Sequence, residues 1–249
     1  MIIRKINKIF SNLKIFDAKY VYIYCDLRNL LGYFKENPEV GAKKFLDLFK
    51  KKGVTCITPA FSYTSKGQFD LRKTKSRVGF LSNYILKKER FVRSKNPIFS
   101  YVSVGKNRNL LNKLGKSAFG KNSLHEKLYI EKCYFLHLNR PLKNGNTLIH
   151  HIEQKNKANY RYEKTFNTKI YEGKKYYGKN YKAFVRINMT SGYTDSTFKN
   201  AYNKIKKKKY FIKKKIADLE ILMYPYKQFY LDINKLYKRC PKIFITKNN

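Results

Sequence analysis

The sequence predicts a mixed α/β fold: a parallel strand–helix–strand core, flanking helices and an antiparallel hairpin excursion over about residues 160–188. Three observations predict it. Short runs of β-branched and aromatic residues alternate with amphipathic stretches, first at Tyr20 to Cys25, then Pro38 to about Lys51, then Val54 to Thr58. A strand–helix–strand order of this kind favours parallel pairing through a crossover helix. Between residues 160 and 188 the pattern changes to alternating aromatic and Lys residues around Gly173 and Gly178, which reads as an antiparallel hairpin.

Taken in order, residues 2–15 form an amphipathic helix with Ile3, Ile6, Ile9, Phe10 and Leu13 as its apolar positions. The strand from Tyr20 follows. Pro38 sits early in the next helix, whose apolar face is Phe45, Leu48 and Phe49. Gly53 ends that helix, and Pro59 closes the strand after it. A polar loop is expected from Phe61 to Arg77, a helix near Val78 to Leu86, and a strand from Phe99 to Val104. Ser123 with Glu126 three residues on fits a capping box opening a helix through Tyr129, and a strand follows at Cys133 to Leu138. The tail carries helices near Ser196 to Lys206 and Gln228 to Tyr237, with strand-like Ile221 to Tyr224 and Ile243 to Ile245. There is no internal repeat and no linker rich in Pro, Gly or Ser, so residues 1–249 are read as a single domain.

Composition narrows the class. Hydrophobic residues make up 43% of the 249, including 22 Tyr and 18 Phe, which is ample for a core and argues against wholesale disorder. No apolar run reaches the roughly 18 residues of a membrane span. The first sixteen residues have charges threaded through them and no small-residue cleavage site, so a signal peptide is not expected. A soluble, cytoplasmic protein is the expectation. Lys and Arg total 56 against 16 acidic residues, a formal charge of +40. Lys, Asn, Ile, Tyr and Phe all have A/T-rich codons, so genome composition explains much of that excess. The densest blocks, Lys206 to Lys209 and Lys213 to Lys215, read as solvated surface. A field of this sign still attracts anions and repels cations. A basic protein that binds nucleic acid or an anionic surface without catalysis is the alternative reading, but no zinc-finger spacing or RNP-type motif supports it.

Cys25, Cys56, Cys133 and Cys240 lie too far apart in sequence for a zinc ribbon or a CxxC redox motif, and are expected to be reduced. The chemistry-bearing candidates are few, with four histidines in the chain. One segment stands out: Asn146-Thr147, then His150, His151 and Glu153. Asn146 or Thr147 can cap a helix here. On that helix His150 and Glu153 share a face, while His151 points about 100° away and is expected to be structural. A carboxylate beside the ring is expected to favour the imidazolium and to fix the ring's orientation, which suits a general base near neutral pH. No third ligand with suitable spacing suggests a metal.

Several short segments in order resemble the aminoglycoside 3-N-acetyltransferase family. Tyr22 to Arg28, with Gly32 behind it, is similar to the family's strand-to-loop segment that touches the coenzyme. Thr58 to Ser62, Ser76 to Gly79, Phe91 to Pro97 with Ser100 and Gly105, and the Phe119-Gly120 loop before Ser123 follow in register. Asn146, Thr147, His150 and Glu153 match the family's Asn-Thr-x-x-His-x-x-Glu. Tyr160-Arg161 and the Lys-rich tail containing Asp232 complete the order, over roughly residues 15–245. Three positions depart. The family's early His is Tyr24, its Ser pair is Cys25-Asp26, and the His before Pro97 is Asn96.

The resemblance implies an N-acetyltransferase using acetyl-CoA as co-substrate, by direct transfer in a ternary complex. It implies His150 as general base, with Glu153 orienting it or accepting directly from the substrate amine. Cys25, Asp26, Leu27, Arg28, Arg93, Ser94 and Thr147 are implied as coenzyme-binding, with Arg28 and Arg93 suited to bidentate phosphate pairing. Asn96 is implied at the substrate. Asp70 in the polar loop either holds a substrate ammonium or forms a turn, the turn being the simpler reading. The acceptor is expected to be a small-molecule amine, an amino sugar rather than a polycationic drug, because the chain's field draws in anions. Nucleic acid is not expected as a partner, and the expected state is monomer or homodimer.

Overall fold

The computed structural model describes residues 2–32, 34, 37–144, 146–187 and 193–247. Helix α1 (Ile2–Asn12) buries Ile2, Ile6 and Phe10. These positions recur every fourth residue on one face. It leads to β1 (Tyr20–Cys25), the short α2 (Arg28–Gly32) and α3 (Pro38–Lys50). Asn37 starts α3: its side-chain oxygen accepts from the N–H groups of Glu39 and Val40 at 3.1 and 3.4 Å. Then come β2 (Thr55–Pro59), β3 (Gln68–Asp70), α4 (Phe80–Lys88), β4 (Val92–Arg93), β5 (Tyr101–Val104), α5 (Leu124–Tyr129) and β6 (Cys133–Leu138). Ser123 caps α5 through the Glu126 N–H, while the Glu126 carboxylate reaches back to the N–H of Asn122 at 2.6 Å, one residue earlier than a reciprocal box requires. Helix α6 (Leu148–Lys155) is followed by β7 (Arg161–Phe166), β8 (Lys169–Glu172), β9 (Lys175–Gly178), β10 (Tyr181–Arg186) and β11 (Tyr193–Ser196). The chain ends with α7 (Lys199–Ile205), β12 (Ile212–Ile216), β13 (Leu219–Pro225), α8 (Tyr226–Arg239) and β14 (Ile245–Lys247).

The fold is mixed α/β, as the sequence predicts. A seven-stranded sheet runs β12-β13-β6-β1-β2-β5-β4. Its centre, β1, is parallel to β2 and to β6, and the outer pairings are antiparallel. Both faces are covered, so β1 reads as a nearly continuous apolar run. One face carries Val21, Ile23, Leu136, Ile221 and Met223, packed under α1, α3 and α4. The other carries Tyr20, Tyr22, Tyr24, Phe135 and Tyr224, covered by residues of α5, α6 and α8.

The structure changes three details. The polar loop from Phe61 to Arg77 contains β3, which pairs in parallel with β8. A three-residue strand that takes its partner from a distant segment leaves no periodicity to read. The excursion is a β8–β9 hairpin nested between the antiparallel partners β7 and β10; Asn188 lies outside the described residues. The block Lys213 to Lys215 belongs to edge strand β12, whose lysines protect an open sheet edge. Among the described residues no helix is long and apolar enough to cross a membrane.

Candidate active site

Helix α6 is anchored at its start. Of the two expected caps, Asn146 performs the role, its side-chain oxygen accepting from the Leu148 N–H at 3.0 Å. Thr147 instead turns its hydroxyl into the core. That oxygen lies 2.9 Å from the Tyr24 hydroxyl, 3.2 Å from Tyr22, 3.3 Å from Tyr101 and 2.9 Å from His125 Nε2. His125 Nδ1 meets the Tyr226 hydroxyl at 2.7 Å, and that hydroxyl donates to the His125 carbonyl at 3.2 Å. The set is consistent when Nδ1 carries the proton and Nε2 accepts from Thr147. Burial holds His125 well below the usual histidine range, so the ring stays neutral.

One turn on, His150 Nδ1 lies 2.9 Å from Glu153 Oε2. Glu153 is completely buried and its same oxygen is 2.7 Å from Arg161 Nε. Arg161 also donates from Nη1 to the Phe184 carbonyl at 3.2 Å. The His150 ring packs between Phe119 and Phe99, at centroid distances of 5.4 and 6.4 Å. Burial lowers its pKa and outweighs the raising effect of the Glu153 hydrogen bond and charge, while Arg161 and Arg186 push the same way as burial. Glu153 does favour the imidazolium, as the sequence expects, but burial of the ring outweighs it. Burial decides the balance, and the ring rests neutral. With Nδ1–H donating to Glu153, Nε2 carries the lone pair. About 20% of the His150 side chain remains exposed. His151 is structural: its Nδ1 lies 3.1 Å from both the Gly120 N–H and the Ser123 hydroxyl, and burial pushes it down to about 4.

Four of the expected coenzyme residues, Cys25, Asp26, Leu27 and Arg28, line one cavity of about 530 Å³, together with Tyr24. Thr58, Pro59 and the first turn of α4 form its other walls. Three separate segments singled out in the sequence thus meet at one place. Gly79 precedes α4 at φ +85°, a conformation that costs any other residue strain. Asp26 and Arg28 form a bidentate ion pair at the edge. Burial pushes the Cys25 thiol up to about 12, so no thiolate nucleophile is available.

The other expected residues are placed elsewhere. Arg93 is buried and committed: Nη2 donates to the Ala60 carbonyl at 2.7 Å, Nη1 to the Thr74 carbonyl and Nε to the Ser100 hydroxyl at 3.2 Å. Its guanidinium lies 4.6 Å from the Phe69 centroid. Ser94 accepts from the Tyr101 N–H at 2.8 Å. Asp70 closes a turn, accepting from the N–H groups of Arg72 and Lys73 at 2.7 and 2.9 Å and from that of Gly173 at 3.1 Å. Asn96 uses both ends of its amide, donating to the Lys116 and Lys182 carbonyls and accepting from Ile98 and Phe99.

His150 does not line the cavity. Phe99 bridges the two, packing on the cavity residues Phe61 and Tyr63 at 5.2 and 6.1 Å and on His150 at 6.4 Å. Sequence reasoning gave no role to Arg161, Tyr63, Arg140 or His125. Arg161 alone left a signal, through its place in the ordered segments. Among the described residues no cluster of His, Cys, Asp or Glu is arranged to hold a metal.

Solved structures share this architecture. The aminoglycoside acetyltransferase AAC(3)-IVa apoenzyme superposes with a TM-score of 0.73 at 16% identity, covering 97% of this chain and 90% of that one. The YokD protein from Bacillus subtilis gives 0.69 at 16% identity over 95% and 94%. AAC-IIIb in its binary complex with CoASH gives 0.75 at 14% identity over 95% and 96%. A comparison with curated proteins returned no match. A family model of acyl-transferring enzymes matches residues 31–237, and the protein is an N-acyltransferase by class. The chain belongs to the aminoglycoside 3-N-acetyltransferase family.

Proposed function

We propose that the protein transfers the acetyl group of acetyl-CoA directly to an amino group of an amino-sugar acceptor, with His150 as general base. The observation that carries this reading is the His150–Glu153–Arg161 chain on a helix tied to the strand that leads into the cavity.

The residues around the cavity fit the co-substrate. Leu27, Leu31, Pro59 and Phe61 offer an apolar passage for a pantetheine arm. Arg28 and the first turn of α4 offer charge and N–H groups for phosphates. Acetyl-CoA supplies an activated acyl group, and the chemistry left to the protein is to free the amine's lone pair. The His150 Nε2 removes the amine proton as attack proceeds, and Glu153 holds Nδ1–H so that Nε2 stays the basic atom. Arg161 Nε, 2.7 Å from the same Glu153 oxygen, holds the carboxylate in place against the ring. The Cys25 thiol, pushed up to about 12 by desolvation, is unsuited to an acyl intermediate, in line with direct transfer.

An amino sugar is preferred over a polycationic antibiotic on charge. The chain carries +40, and its scarce carboxylates near His150 are already paired. Screening beyond about 8 Å softens but does not reverse that bias. The test is free-thiol release from acetyl-CoA with a panel of amines. His150→Ala should lose about 10²–10⁴-fold in rate with coenzyme affinity unchanged; undiminished turnover refutes the base. Faster turnover of a gentamicin-like drug than of a nucleotide-linked amino sugar refutes the acceptor.

A further inference from the structure

A second cavity, of about 630 Å³, opens beside the first, and Arg140 lines both. Its floor is the end of the sheet formed by β12, β13 and β6, and its lip is the segment from Arg140 to Lys143 that runs into α6. Arg140, Lys143, Lys213, Lys214 and Lys215 line it against a single acid, Glu220. The described residues place none of these five cations in an ion pair. Like charges gathered round a concave surface concentrate its field and draw in multivalent anions.

A second observation points the same way. Asn139 lines the cavity with its Oδ1 accepting from the Glu220 N–H at 2.7 Å. Its buried Nδ2 has no hydrogen-bond partner among the described residues. An orphaned buried donor costs free energy unless a ligand or water completes it. His137 behind it adds no charge, since Nδ1 donates to the Arg140 carbonyl at 3.1 Å and Nε2 takes the Tyr224 hydroxyl at 2.8 Å.

We propose that this cavity binds the diphosphate of a nucleoside-diphosphate-linked acceptor, with Lys213 and Lys215 as charge partners and Asn139 Nδ2 as an added donor. The inference rests on the transferase reading for its acceptor, and on the cavity alone for its anion. The volume lies within the range of small-molecule pockets. Lys213 and Lys215 stand opposite Leu222 and Glu220 in the strand register and share their face of the sheet. A polycationic acceptor meets repulsion at the same place.

The test is calorimetric binding of uridine diphosphate and, separately, of coenzyme A at physiological salt. The proteins compared are wild type, Lys213→Ala/Lys215→Ala, Asn139→Ala and a charge-matched control, Lys207→Ala/Lys209→Ala. The cavity double variant should weaken uridine diphosphate by about tenfold or more, Asn139→Ala by a few-fold, and the control by less than about twofold. Coenzyme A affinity should hold throughout. Equal losses in the cavity variant and the control, or no uridine diphosphate binding by the wild type, overturn the site. Loss of coenzyme A affinity with uridine diphosphate unaffected assigns the cavity to the coenzyme and also overturns it. If uridine diphosphate binding behaves as expected while His150→Ala keeps full turnover, the anion site stands and the base assignment falls.

Discussion

The hydroxyl of Tyr24 accepts the backbone N–H of Thr147 at 2.9 Å, joining the end of the central strand to the start of the helix that carries His150. The same hydroxyl lies 2.9 Å from Thr147 Oγ1, so one phenol fixes both the backbone and the side chain of the residue that leads into the helix. Tyr24 also lines the cavity beside Cys25 and Asp26. The distance between that cavity and the imidazole is therefore set by a rigid polar core, with Tyr22, Tyr101 and His125 packed around the threonine.

That core should be intolerant of losing one oxygen. Thr147→Val keeps the shape but leaves buried hydroxyls and an imidazole nitrogen short of a partner, each worth about 1–3 kcal/mol when orphaned. Thr147→Ser keeps the oxygen and should cost about 1 kcal/mol for the lost methyl. Chemical denaturation of both variants measures the difference. Equal stability would show that the network is carried by something other than this hydroxyl.

The rate should follow pH through His150. Its pKa lies below 6.5, chiefly through burial, so the neutral base predominates at pH 7 and activity should fall only on the acid side of that value. Glu153 raises that pKa, so Glu153→Gln should move the acid limb to still lower pH and slow the reaction by about 10- to 100-fold. The variant also leaves Arg161 buried beside a neutral partner, at a cost of about 3–5 kcal/mol. Rates must then be read at a temperature where the fold is intact. An acid limb that stays in place refutes the coupling between ring and carboxylate.

Much of the fold was legible in the sequence because its central elements are strongly patterned. Tyr20–Cys25 and Cys133–Leu138 have the expected bounds, and α3 begins at Pro38 as its cap requires. What could not be read depends on partners remote in the chain. Strand β12 is Ile-Lys-Lys-Lys-Ile, whose composition resembles solvated surface, and only pairing with β13 makes it a strand. The pairing of His150 with Glu153 was legible because both lie on one helical turn. The net balance on the ring was not, because the burial that outweighs Glu153 comes with packing against Phe99 and Phe119, which are remote in the chain. Arg93 misled in the opposite way, since arginine in isolation reads as an exposed phosphate ligand, and its burial depends on carbonyls at residues 60 and 74.

Two arginines expected to share one task should behave oppositely. Arg28 has an exposed side chain at the cavity edge, so Arg28→Ala should weaken coenzyme A binding by about three- to tenfold and leave the melting temperature nearly unchanged. Arg93→Met removes donors from buried carbonyls of two loops and should cost about 2–4 kcal/mol. It should not alter coenzyme affinity at a temperature where the variant is folded. Thermal melts beside calorimetric titrations read both quantities, and a large affinity loss in Arg93→Met would return that residue to the coenzyme site.

Acid should unfold the protein through its buried imidazoles before most carboxylates matter. His137 is pushed down to about 3 and His151 to about 4, in both cases by burial. In the unfolded chain both titrate near 6.5, so between 6.5 and these lower values the unfolded state binds more protons than the folded one. Stability is then fully present above about pH 6.5 and declines as pH falls towards 4 and 3. His151→Gln presents an amide where Nδ1 now meets the Gly120 N–H, and it removes one of these titrations. The variant should start less stable at pH 7 but lose stability less steeply between pH 6.5 and 4. Urea midpoints across that range give the slope directly, and parallel curves for variant and wild type would mean that His151 is not protonated on unfolding.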